Sequence, residues 1–162
     1  MAELSTVATE AATTRKSPYG SKTLAWVFMI VTAVTIMYWM MWFAVPGGRD
    51  MLAVLPKDHT YLTFENAFPV SDGWMALCSL MASIQLFRDK SSAIPWIFMG
   101  SSAGLYLGGM DISYDIQNGI YHLLSQNFGS VVTEMIINVA SVGISLAALL
   151  WGWKNRDWQC KG

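Results

Sequence analysis

Charge is what this chain has least of. Only 13% of its 162 residues are Asp, Glu, Lys or Arg, against about 25% in soluble domains. That excludes a protein solvated by water over most of its surface. Cysteine is almost missing: Cys78 and Cys160 form no Cys-x-x-Cys pair and no disulfide framework. The two histidines, His59 and His122, are too few and too badly placed to serve as paired haem ligands. No Gly-x-Ser-x-Gly, Walker A, His-Glu-x-x-His or Gly-x-Gly-x-x-Gly pattern is present. The largest basic cluster is Arg15-Lys16, which excludes nucleic acid as a partner.

What the chain does have is apolar residues, 54% of the total, gathered in blocks. Residues 23–45 carry no charge, 73–87 and 93–110 carry none, and 131–153 carry only Glu134. A membrane-crossing helix needs about 20 such residues. The pattern predicts four transmembrane helices over 23–45, 69–87, 93–124 and 130–153. The expected fold is all-α, an integral membrane antiparallel four-helix bundle over 21–162. Residues 1–20, rich in Ala, Ser and Thr, read as a disordered tail.

The loops predict orientation. Arg15, Lys16, Lys22, Arg88, Lys90, Lys154, Arg156 and Lys161 all fall on one side of such a bundle. That side is expected to be cytoplasmic, which makes the chain a multi-pass cell-membrane protein with both termini inside. Trp26, Trp96, Trp151 and Trp153 would mark the inner boundary, and Trp39, Trp42 and Trp74 the outer one. The acids run the other way. Asp50, Asp58, Glu65, Asp72, Asp111, Asp115 and Glu134 fall outside or in the outer half. Acids contribute little to topology, so this excess asks for another reason.

Polar stripes supply one. Gly100, Gly104, Gly108, Asp111, Asp115, Asn118 and His122 follow at intervals of 4, 4, 3, 4, 3 and 4, one face of a helix. Asp72, Ala76, Ser79 and Ser83 are spaced 4, 3, 4, and so are Glu134, Asn138, Ser141 and Ser145. Thr32, Thr35, Tyr38 and Trp42 make a weaker stripe in the first span. Small residues let helices approach and polar ones bond across the gap. The stripes predict a bundle packed tightly at its cytoplasmic half and polar at its outer half, with a pocket opening outward. Asp111 lies 15 residues after Trp96, about 22 Å along a helix, and so in the outer third of a bilayer.

The candidate ligand-binding residues are Asp111, Asp115, Asp72, Glu134, Asn138, Asn118 and Tyr114. As metal chemistry, Asp111, Asp115 and His122 offer hard oxygens and one imidazole, suited to a divalent cation as cofactor. Asp111 and Asp115 are like charges one turn apart with no Lys or Arg in any span. A retained proton, a bound cation, or Arg49, Lys57 or His59 folding down from the 46–68 loop would each relieve them.

Four spans with carboxylates inside the bundle resemble, in topology alone, the sterol-isomerase-like four-helix membrane proteins, and no activity is carried over. The leading expectation is a protein that binds a cation or small amphipathic ligand rather than an enzyme. An accessory subunit of a larger membrane complex, or a homo-oligomer, is the second. A small intramembrane lipid-modifying enzyme of isomerase type, using the carboxylates as acid and base, is the third. The lipid bilayer is the partner common to all three.

Overall fold

The computed structural model describes residues 17–160. The expected tail, up to residue 16, lies outside them. The described residues form helices and turns, with no strand among them. α1 spans Ser21–Ala44, α2 Gly48–Leu52, α3 His59–Glu65, α4 Pro69–Phe87, α5 Ala93–Gln117, α6 Phe128–Lys154 and α7 Asp157–Cys160, with a 3-10 helix at Ile120–Ser125 between α5 and α6.

α4 begins with Pro69 in its first turn, where the missing N–H costs nothing. The run expected over 93–124 is divided. α5 ends at Gln117, Asn118 caps it, and Gly119 takes a φ of 69°. That left-handed conformation suits glycine and turns the chain out of the helix. Asn118 and His122 therefore leave the stripe that Asp111 and Asp115 continue.

Three segments are long and apolar enough to cross a membrane: Ser21–Ala44, His59–Phe87 and Phe128–Lys154. α5 has the length, 25 residues, but its glycines, serines and two aspartates dilute its apolar character. The four spans expected from sequence are thus three by this measure.

The long helices pack in chain order, α1 on α4, α4 on α5 and α5 on α6. The glycine half of the α5 stripe is the seam. A methyl group added at Gly100 would press on Cys78, and one at Gly104 would collide with the Ser145 hydroxyl. At Gly108 it would stand 2.9 Å from Val142 Cγ2. Small residues here set the distance between α5 and both neighbours. Hydrogen bonds stitch α1 to α4: Thr32 Oγ1 donates to the Ala76 carbonyl at 3.2 Å, and Ser83 Oγ to the Ala25 carbonyl at 2.8 Å.

Two apolar clusters close the ends. Ala25, Phe28, Leu86, Ile94, Ile97 and Ala148 fill the end that carries the chain termini. There Lys22 donates to the Leu86 and Phe87 carbonyls, at 3.1 and 2.8 Å, and pairs with Asp89 at 2.7 Å. Trp42, Val54, Tyr61, Ile120 and Val131 fill the opposite end, beneath α2 and α3.

Candidate functional site

The segment before α4 is built to stay down. Asp58 Oδ1 accepts from the Tyr61 N–H at 2.9 Å, which caps α3. Tyr61 is fully buried, and its hydroxyl accepts from the Val54 N–H at 3.3 Å. Phe64 stacks on Tyr114 of α5 with ring centres 3.8 Å apart and planes 7° from parallel. Trp42 Nε1 donates to Asn66 Oδ1 at 3.1 Å. With α3 pinned this way, Glu65 at its last position points into the interior and is only 7% exposed.

There it meets two other acids. Asp111 comes from α5 and Glu134 from α6. Carboxylate oxygens of Glu65, Asp111 and Glu134 lie within 4.8 Å of one another. Asp72, in the first turn of α4, stands nearby and accepts from Trp39 Nε1 at 2.9 Å. All four acids line one cavity of about 130 Å³ among α1, α4, α5 and α6. Its remaining wall is mostly apolar, with Phe68, Met75, Leu107 and Ile137, and its polar members include Tyr38, Asn138 and Ser141.

Four of the residues singled out from sequence meet at this cavity: Asp111, Asp72, Glu134 and Asn138. Asp115 does not line it. One helical turn beyond Asp111, rotated by about 40°, it is 1% exposed and accepts from Asn138 Nδ2 at 2.9 Å. The same amide nitrogen stands 3.4 Å from the Tyr121 hydroxyl. Tyr114 is the platform under Phe64. Asn118 is exposed and donates to the Tyr114 carbonyl at 2.9 Å. His122 sits exposed on the 3-10 helix. The grouping expected for a metal, Asp111 with Asp115 and His122, is replaced by Asp111 with Glu65 and Glu134, because the chain breaks at Gly119 and α3 folds inward.

Glu65 is the residue that sequence reasoning missed. It counted there only as one more acid in an outer loop. Asp58 as a helix cap, with Tyr61 and Glu65 four residues apart on one face, is the signal that marks it.

Among the described residues no basic group pairs with the cluster. Among the described residues, the ion pairs are Lys22–Asp89 and Arg156–Asp157. Arg49 lies over the rings of Trp42 and Phe43, at 5.6 and 5.9 Å. His59 Nδ1 stands 3.4 Å from Thr63 Oγ1. Neither comes down to the carboxylates, so one of the three reliefs expected from sequence is not the one adopted. Three carboxylates in a low-dielectric setting repel one another strongly unless protons or a cation intervene. Their oxygens are hard ligands of the kind that Ca²⁺ and Mn²⁺ take.

The chain matches no family model, no curated protein and no solved structure.

Proposed function

We infer that the chain is a multi-pass membrane protein of four spans whose acidic cavity binds a cation. The observation that carries this reading is the meeting of Glu65, Asp111 and Glu134, with no ion pair to them among the described residues. Such a cluster is costly to bury without a positive partner, and its three acids come from three separate elements.

α5 serves as the fourth span in this reading. It is 25 residues long, about 37 Å, and it packs between α4 and α6. Its polar residues Asp111 and Asp115 are turned to protein rather than lipid, the arrangement that makes intramembrane acids tolerable. The basic residues at the terminal end support a cytoplasmic position for it, and in this reading the cavity lies toward the outside.

Mn²⁺ titration of the purified full chain, read by electron paramagnetic resonance, tests the reading. About one ion per chain is expected, with binding reduced tenfold or more in Asp111→Asn and in Glu134→Gln. Binding that stays intact in both variants, with the fold retained, places any cation elsewhere.

A further inference from the structure

The cavity has a side opening. α1 and α6 stand at the two ends of the packing order and barely touch. They share the terminal cluster, to which Ala25, Phe28 and Ala148 belong, and the opposite cluster, to which Trp42 and Val131 belong. Between those two closures the cavity wall runs from Val34 and Thr35 on α1 to Ile137 and Ser141 on α6. Val34 is 51% exposed and Ile137 38% exposed, although both line the cavity. The interior therefore reaches the outer surface of the helices between them.

The height of this window matters. Val34 lies 13 residues along α1 from Ser21, about 20 Å. Ile137 lies 17 residues back along α6 from Lys154, about 25 Å. Val34 falls near the middle of α1 and Ile137 nearer the Phe128 end of α6, both within the apolar stretches of helices that cross the membrane, so the window faces hydrocarbon. The route from the opposite end is roofed instead, by α3 with its buried Tyr61 and Glu65 and by the buried Phe68 just before α4.

Inside the window stands Glu134, only 6% exposed. Its carboxylate faces the cavity beside those of Asp111 and Glu65, and no N–H or hydroxyl donor among the described residues reaches it. A charged group this buried, aimed into a cavity and lacking a partner, is satisfied by a cationic donor from outside. A primary ammonium has three N–H donors. With each bond about 2.8 Å long and tetrahedral, the three accepting oxygens stand roughly 4.6 Å apart, inside the 4.8 Å within which the oxygens of this trio lie. Beyond the trio the wall is mostly apolar toward the window, where Val34 and Ile137 stand, which suits a hydrocarbon chain better than the water shell of a metal ion.

We propose that the cavity takes the ammonium head of an amphipathic amine from the bilayer, through the window between α1 and α6, with its hydrocarbon tail left between Val34 and Ile137. This rests on the cation-binding reading above and names the class of cation. The head brings the positive charge that the acids lack, and the tail never leaves apolar surroundings.

Native mass spectrometry of the full chain released from lipid nanodiscs tests it, with decylammonium, methylammonium and Mn²⁺ as probes. Decylammonium is expected to add once per chain and to exceed methylammonium. Its adduct should fall about tenfold or more in Glu134→Gln, where the charged acceptor is gone. Ile137→Trp and Val34→Trp, on opposite sides of the window, should each reduce the decylammonium adduct by a larger factor than Mn²⁺ binding. Either variant that retains its thermal unfolding midpoint is sufficient. Mn²⁺ binding without decylammonium binding, or a decylammonium adduct indifferent to all three substitutions, overturns this proposal while the cation site stands. Loss of every probe from the folded wild-type protein overturns both.

Discussion

At the scale of single residues, two acids one helical turn apart do different work. Asp111 faces the cavity with Glu65 and Glu134. Asp115 is sealed away and held by Asn138. Spacing alone put both on one stripe, and nothing in the sequence separates the carboxylate that faces the cavity from the one that is sealed. Asn138 is the group that holds Asp115, with its amide nitrogen 2.9 Å from the carboxylate. Asn138→Ala leaves a buried acceptor without its donor and should cost about 1–3 kcal/mol, read as a lower thermal unfolding midpoint. Asp111→Asn should leave that midpoint unchanged or raise it, because it removes a repulsive charge. Asp111, Glu134, Asp72 and Asn138 were legible because they fall on helices with clear periodicity. Glu65 was not, because its position depends on how a short helix outside the long apolar runs folds back. Asn118 and His122 were misplaced for one local reason, the turn at Gly119.

At the scale of elements, the α1–α4–α5 corner is held by a single charged device. The hydrogen bond from Lys22, with a further one from Ser17, holds the Asp89 carboxyl below its ordinary value. Asp89 also takes a φ of 54°, a conformation Asn adopts well, so Asp89→Asn removes the charge and keeps the turn. A carboxyl whose value is lowered by folding stabilises the fold above its unfolded value and loses that contribution as pH falls through the folded one. Wild type should therefore exceed Asp89→Asn in stability at neutral pH, by a small margin for so exposed a pair. The margin should close as pH drops below about 4, in thermal unfolding run across pH. The helices themselves were largely legible. α4 begins and ends at the expected residues, and α1 and α6 differ from expectation by one or two positions. Apolar runs fix a helix well. Its end is set by a backbone conformation such as that of Gly119, which hydropathy does not register.

At the scale of the whole molecule, four long helices enclose a polar interior on three sides and leave the α1–α6 side open. Three apolar segments announce the membrane, and α5 hides among them because its polar face is covered by its neighbours. The stripes on separate helices made the convergence readable, whereas the side opening belongs to the packing order and has no local signature. Orientation is tested by cysteines placed at Lys57 and Arg156 and probed with an impermeant thiol reagent in intact cells. The Lys57→Cys variant should label from outside and the Arg156→Cys variant only after lysis. The central claim is that Glu65, Asp111 and Glu134 form one cation site from which Asp115 is excluded. It is tested most directly by the Mn²⁺ titration of purified protein carrying Glu65→Gln or Asp115→Asn. Binding should fall tenfold or more in Glu65→Gln and persist in Asp115→Asn. Persistence in Glu65→Gln together with loss in Asp115→Asn would contradict the account.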